Sequence, residues 1–546
     1  MKKYLLLGLT FISAMASAQS LVSYNLIKTY STGQIDSVLS ANGIPPLFLP
    51  TTYDIDIYKV VYNTLDADSL PIIASGALFI PKNNQCKAPL MSYQHGTISV
   101  KTAVPSTLNS LEVLIGETSA SDGAVVTMPD YLGLGDSPGL HPYMNAETEA
   151  RATADLLVVA KEICSDLGVV LNDQLFLLGY SQGGHSTMAA HQMIQESYGN
   201  YFKVTASVPM SGPYDVSGLQ AQTISQNVEY PNPGYLPYFL LAYNSVYHIY
   251  ASNSDFLASP YDVTIPPLFD GTHELSEVNA IMPSIPNQIL VPALLDSFNT
   301  YPDYRLYKYL KLNDTYNWKA DAPIRMFYCE ADMDVNYLNS FVAYDTLTAN
   351  GSVSVSKFSS GPLLDHSGCV FPSLLSAKAF IDSFRLDKLK FTFDITNCST
   401  PFASDGSVTV HASSGFAPYT YLWSNGTTDS TLSNVPLGFY TITVTDATGC
   451  PNTTSVFVSV QVGIEEVFAQ QTSVTPNPMH NFSTIQFPEA GNYSVELSDA
   501  TGRLIMNENF YGDKYILLRR NLSSGIYYLK MKQEEGVPFI KMIVAE

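Results

Sequence analysis

Charge is scarce in this 546-residue chain. Only 14% of its residues are Asp, Glu, Lys or Arg, and 27 basic residues face 49 acidic ones for a formal net charge of −22. So few cations argue against nucleic acid and anionic membrane surfaces as main partners. Long apolar runs are also lacking. The stretch Tyr4–Ile12 is too short to span a bilayer, and no later segment reaches spanning length without charges or breakers. Cysteine is sparse: Cys86, Cys164, Cys329, Cys369, Cys398 and Cys450, with no pair at the short spacing of a zinc or redox motif. What is abundant is apolar, at 46% of residues, which excludes a disordered chain.

The length is too great for one ordinary core, so two or three domains are expected. Lys2 and Lys3, the apolar run Tyr4–Ile12 and Ala16-Ser17-Ala18 form the three regions of a secretory signal peptide, residues 1–18, with cleavage expected after Ala18 and a soluble, exported product.

From about Ile55 to Leu386, within a first large domain expected over residues 19–387, short apolar runs alternate with helical stretches. Pro89–Tyr93, Ala124–Met128, Leu175–Leu178, Thr205–Met210 and Ile324–Tyr328 read as buried strands. Ala146–Leu167, Gly183–Tyr198 and Pro372–Phe384 read as helices. The alternation predicts an α/β fold with a parallel sheet covered on both faces. One connection, about residues 216–320, is far longer than usual, and long connections often carry function. It holds Phe239, Tyr243, Tyr247 and Tyr250 at helical spacing, which predicts a helical insertion burying its own aromatics or capping a site with an apolar pocket.

Beyond Arg385 the helical periodicity ends. Residues 388–462 alternate in short runs such as Tyr419–Leu422 and Tyr440–Val444, with turns at Asp405-Gly406 and Asn425-Gly426, and predict a small all-β sandwich. Cys398 and Cys450 bracket it and are the preferred disulfide pair. Cys329 with Cys369 is a second candidate pair, and the remaining connectivity is open. The run from Cys398 through Pro418–Gly426 and Gly438-Phe439-Tyr440 to Cys450 resembles the repeat of gliding-motility adhesins, which implies an immunoglobulin-like module acting as a spacer. Residues 470–546 form a second small β unit. The ordered set Pro476-Asn477-Pro478, Gly491–Leu497, Gly502-Arg503, Leu522–Leu529 and Lys541–Val544 resembles the C-terminal sorting domain of the type IX secretion system. That resemblance implies passage across the outer membrane through the type IX machinery.

The chemistry lies in Gly179-Tyr180-Ser181-Gln182-Gly183-Gly184, set between a predicted strand and a predicted helix. This is the context of the G-x-S-x-G nucleophile elbow, which makes Ser181 the candidate nucleophile and the Gln182 amide an oxyanion donor. A serine needs a base, and the chain order of such folds is Ser, then Asp or Glu, then His. Of nine histidines, only His366 lies after a plausible acid and within the α/β region. The acid should end the strand Ile324–Tyr328, where Glu330, Asp332 and Asp334 compete. Asp332 is favoured because Glu330-Ala331-Asp332 and Val335 resemble the G-x-x-D-x-x-V loop of α/β hydrolases, although Cys329 replaces the glycine and leaves Asp334 open. The second oxyanion amide is assigned to Thr97, after Gln94-His95-Gly96, while His95, Asp130 and Asp136 are expected to shape loops.

His95-Gly96-Thr97, Pro129-Asp130-Tyr131, the serine motif, the insertion and the late Asp and His together resemble the secretory lipase group of α/β hydrolases. The resemblance covers about residues 50–386. It implies an α/β-hydrolase fold with a helical cap, followed by the two small all-β domains, lipid or simpler ester substrates, and no cofactor or metal. A serine peptidase of the same fold and a non-catalytic surface adhesin are the alternatives. The first would want a charged subsite for a peptide terminus, and the second is disfavoured by the complete set of catalytic residue types.

Overall fold

Three extended segments begin the computed structural model, which describes residues 19–45, 49, 51–300, 305–460, 471–499, 503–519, 522–534 and 538–545. The predicted signal peptide, residues 1–18, lies outside them. Strand β1 (Ser20–Tyr30) pairs with β2 (Ile55–Leu65), and β2 with β3 (Pro71–Pro81), both antiparallel. Then come β4 (Ala88–Gln94), β5 (Val125–Pro129), β6 (Leu171–Tyr180), β7 (Val204–Met210), β8 (Ile324–Cys329) and β9 (Val355–Gly361). The nine form one sheet in the order β1-β2-β3-β5-β4-β6-β7-β8-β9.

The expectation of a parallel sheet thus holds from β5 onward and needs correction before it. β2 and β3 are joined by the tight turn Asp66–Leu70, where Ser69 N–H donates to the Asp66 carbonyl. A connection so short permits only antiparallel pairing, because a parallel crossover needs a dozen residues or more. β3 also meets β5 antiparallel, whereas β5-β4-β6-β7-β8-β9 are parallel throughout.

Alternating side chains on the central strands feed two separate cores, as the pleat requires. Met91, Tyr93, Phe176 and Leu178 pack with Ile35 of α1 (Thr32–Ala41), Val113 of α2 (Val113–Ser121) and Phe380. Their neighbours Leu90, Leu175 and Leu177 pack on the opposite face with Leu156 and Leu157 of α3 (Ala146–Asp166) and Ala190 of α4 (Gln182–Ser197).

The insertion between β7 and β8 builds its own core around α5 (Tyr235–Tyr247) and several shorter helical segments. Phe239, Tyr243 and Tyr247 share this helix as expected. Tyr250 does not, because His248 turns left-handed (φ 50°) and ends α5 first. The α/β region closes with α6 (Leu338–Ala349) and α7 (Val370–Asp382).

Cys329 at the end of β8 is bonded to Cys369, at the start of α7, as the sequence suggested. The expected Cys398–Cys450 pair is not made. Cys450 is bonded to Cys86, and Cys398 is a buried free thiol whose Sγ lies 3.3 Å from the Val435 carbonyl. The two cysteines bracket the β module in sequence but fall in different compact units. Cys450 lies in segment 444–452, which clusters with residues up to 390 in the first of two compact units, whereas Cys398 belongs to the second.

The β module contributes two three-stranded sheets, β10-β11-β13 and β12-β14-β15, from β10 (Lys390–Thr396), β11 (Gly406–Ser413), β12 (Thr420–Trp423), β13 (Thr431–Val435), β14 (Gly438–Thr445) and β15 (Pro451–Val458). The last β unit is an antiparallel five-stranded sheet of β16 (Ser473–Thr475), β17 (Phe482–Asp499), β18 (Leu504–Leu518), β19 (Gly525–Gln533) and β20 (Phe539–Ala545), closed over Ile485, Val495, Leu497 and Leu529.

Candidate active site

Thr97, Ser181, Asp332 and His366 each follow the C-terminal end of a parallel strand (β4, β6, β8 and β9), so the sheet delivers all four to one rim. Open α/β sheets bind ligands at that rim.

Ser181 sits in the sharp turn between β6 and α4, at φ 61° and ψ −123°. For a non-glycine residue this is a strained conformation, and its neighbours hold it there. A Cβ on Gly179 would lie 2.3 Å from the Gly183 carbonyl oxygen, and one on Gly183 would lie 1.9 Å from that of Gln94. Only glycine lets the turn close so tightly between strand and helix.

His366 Nε2 lies 2.9 Å from Ser181 Oγ, and His366 Nδ1 lies 2.7 Å from Asp332 Oδ2. Tyr180 holds the histidine loop by donating from its hydroxyl to the His366 carbonyl at 2.7 Å. Asp332 Oδ1 accepts from the amides of Asp334 (3.0 Å) and Val335 (2.8 Å), which leaves Oδ2 aimed at the imidazole. Asp334 turns elsewhere. Its Oδ1 accepts from Asn232 at 2.8 Å, its carbonyl accepts from the Tyr230 hydroxyl, and burial pushes its carboxyl up. Asp332, Asp334 and His366 are also the one group of potential metal ligands among the described residues, with ligand atoms within 4.8 Å of one another. Both His366 nitrogens are already engaged, so a cation there would have to displace Ser181 or Asp332 from the ring.

Gln182 follows the serine in sequence, and Thr97 follows Gly96, where an added Cβ would lie 4.0 Å from Ser181 Cβ. Gln182 opens α4, where its amide has no intrahelical acceptor. Thr97 places its hydroxyl 3.0 Å from the Tyr143 hydroxyl. The loop before it is held by Glu112, a residue that sequence reasoning missed. The Glu112 carboxylate accepts from the Gly96 amide at 3.0 Å and from the Tyr93 hydroxyl at 2.6 Å. No local pattern marks it, because its partners are 16 and 19 residues away in the chain. His95 and Asp130 shape loops as expected. The His95 ring lies 2.7 Å from the Gly96 carbonyl, and buried Asp130 accepts from the Ser75 hydroxyl and the Ser106 amide. Asp136 pairs with Lys59.

A cleft opens beside Ser181. Tyr143, Tyr235, Leu236 and Phe239 line it beside Ser181 and Gln182, and Asp334 is its one formally charged lining residue. The insertion therefore supplies much of the cleft wall.

Comparison with known proteins agrees with this architecture. Residues 402–428 match the SprB repeat, and residues 473–545 match the secretion system C-terminal sorting domain. A protein of Legionella pneumophila assigned as a hydrolase is 32% identical, with a TM-score of 0.62 over 67% of this chain and 98% of its own. The rice cell wall degrading esterase LipA of Xanthomonas oryzae is 25% identical, with a TM-score of 0.61 over 67% of this chain and 100% of its own. Lipase A of Candida antarctica, in its closed state, shares the fold at 15% identity and a TM-score of 0.51, over 67% of this chain and 82% of its own. No curated protein sequence matches significantly. Among the described residues no helix is long and apolar enough to cross a membrane. The chain belongs to the lipase-like α/β hydrolases and is a secreted or cell-surface hydrolase carrying an SprB repeat and a type IX C-terminal sorting domain.

Proposed function

We propose that the protein is a serine esterase that cleaves carboxylic esters through an acyl-enzyme on Ser181. The observation that carries this reading is the unbroken chain Ser181 Oγ–His366 Nε2–His366 Nδ1–Asp332 Oδ2, whose serine lines a largely apolar cleft. His366 takes the Ser181 proton as the hydroxyl attacks the ester carbonyl. Asp332 holds the ring with Nε2 toward the serine and stabilises the imidazolium. The amides of Gln182 and Thr97 receive the oxyanion. His366 then protonates the leaving alcohol, and water, activated by the same imidazole, releases the acid.

The cleft wall favours an apolar acyl chain or alcohol, in keeping with the esterase among the structural relatives. One observation favours a peptidase instead: Asp334 places a carboxylate in that cleft, where it could hold a peptide ammonium group. Hydrolysis of p-nitrophenyl esters of increasing chain length, measured beside peptide anilides, separates the two, and esters should be the faster class by a wide margin. Ser181→Ala should abolish turnover, and a fluorophosphonate probe should label the wild type at Ser181 only. Labelling elsewhere, or an active variant, would sink the mechanism.

A further inference from the structure

Glu149 is a fully buried carboxylate in the first turn of α3, and it takes no part in the chain just described. Four donors converge on it. Gln182 Nε2 lies at 2.7 Å and the Met144 amide at 3.0 Å, both on Oε1. Ser186 Oγ lies at 2.5 Å and His185 Nδ1 at 3.1 Å, both on Oε2. Three of the four belong to the first five residues of α4, the helix that Ser181 caps. Burial by itself would raise the Glu149 carboxyl, but the hydrogen bonds from His185 and Ser186 help hold it below the usual range. A carboxylate is the side chain that suits this position, because it accepts in every direction and donates in none.

The surrounding rings are fixed too. His185 Nε2 faces the Asn313 carbonyl at 2.9 Å, so both of its ring nitrogens lie against acceptors. His141 is the opposite case. Its Nδ1 donates to the Leu132 carbonyl at 2.8 Å, and burial pushes its pKa down to about 4. Its Nε2 is therefore an acceptor, and Gln182 Nε2 lies 2.8 Å away. Both hydrogens of the Gln182 side-chain amide are thus committed, one to Glu149 and one to His141. Flipping that amide would turn its oxygen toward a carboxylate and a lone pair, so the side chain has one orientation.

We propose that Glu149 is a positioning residue for the reaction: it clamps the first turn of α4 and, through Gln182, sets where the oxyanion-binding amide points. This rests on the serine mechanism proposed above. Glu149 touches no substrate, and its effect should appear where the tetrahedral oxyanion forms and not in substrate affinity.

The test is Glu149→Gln in the full chain, with active sites counted by stoichiometric fluorophosphonate labelling. The substituted amide brings N–H groups against donors already present. A displacement of about 1 Å at such a site costs roughly 10²-fold. We expect kcat per labelled site to fall by roughly that factor with KM little changed, the pattern of an interaction made only in the transition state. The Ki of a trifluoromethyl ketone, which forms an oxyanion adduct with the serine, should rise by the same factor. If Glu149→Gln does not fold, Gln182→Met removes the clamp while keeping the backbone amide and should give the same pair of changes. A variant with fewer labelled sites but unchanged kcat per site and unchanged Ki would make Glu149 purely structural and overturn the proposal. Failure to label the wild type at Ser181 would instead remove the mechanism on which it rests.

Discussion

Asp332 and Asp334 stand two residues apart, and in an extended strand they would point the same way. The turn after β8 separates them: two amides hold one oxygen of Asp332 while the other faces His366, and Asp334 binds Asn232. Asp332→Asn should therefore lower kcat by roughly 10⁴ on a soluble ester, the loss typical of removing a triad acid. Asp334→Asn should cost far less, once both variants are shown to fold. The reverse ranking would transfer the role to Asp334. Glu117 offers a prediction on stability. It is only 4% exposed, with Oε2 unpartnered, and burial, opposed by Lys28, raises its pKa to about 7 from 4.5. Below pH 4.5 it is protonated in both folded and unfolded chains and has no effect. As pH rises toward 7 the unfolded chain ionises first, so stability falls, and the full penalty is present above 7. The span is worth about 3 kcal/mol. Glu117→Gln should gain stability relative to wild type between pH 4.5 and 8 in thermal unfolding, and a constant difference across that range would refute this.

At the scale of elements, the elbow was the most legible feature, because its constraint is local: glycines two residues either side of Ser181 admit a turn that any Cβ would block. Chain order and the domain boundary together single out His366, since His411 and His480 also follow an acid but lie in the appended β segments. The antiparallel start of the sheet was not legible, because β1 is largely exposed, the burial of β2 alternates, and β3, though continuously buried from Ala74, carries no local mark of its direction. The bond Cys329–Cys369 joins the acid-bearing turn to the histidine-bearing loop across 40 residues. On the chain-entropy model a closed loop of that size stabilises by about 4 kcal/mol. The double variant Cys329→Ser/Cys369→Ser should melt well below wild type in calorimetry and lose turnover earlier on warming. An unchanged melting temperature would show that packing alone holds the two loops.

For the whole molecule, catalytic residue types and export signals occupy separate stretches of chain. The proposed catalytic residues end at His366, and the sorting domain begins at residue 473. Removing residues after about Val474 should leave ester hydrolysis unchanged and retain the enzyme in the periplasm, and its normal appearance in the medium would contradict that. What the sequence by itself determined was everything written in short range or in order: the α/β alternation, the elbow, the succession of Ser, Asp and His, and the two β modules with their turn and strand patterns. What only the tertiary structure decided were pairings between distant segments. Cys450 bonded to Cys86 and not Cys398, Asp332 rather than Asp334 facing the imidazole, and Glu149 gathering donors from a helix more than 30 residues on are of this kind. The physical reason is common to all three. A disulfide, an ion pair or a buried carboxylate is settled by which side chains come within a few ångströms once the sheet has closed, and residue spacing along the chain does not encode that proximity.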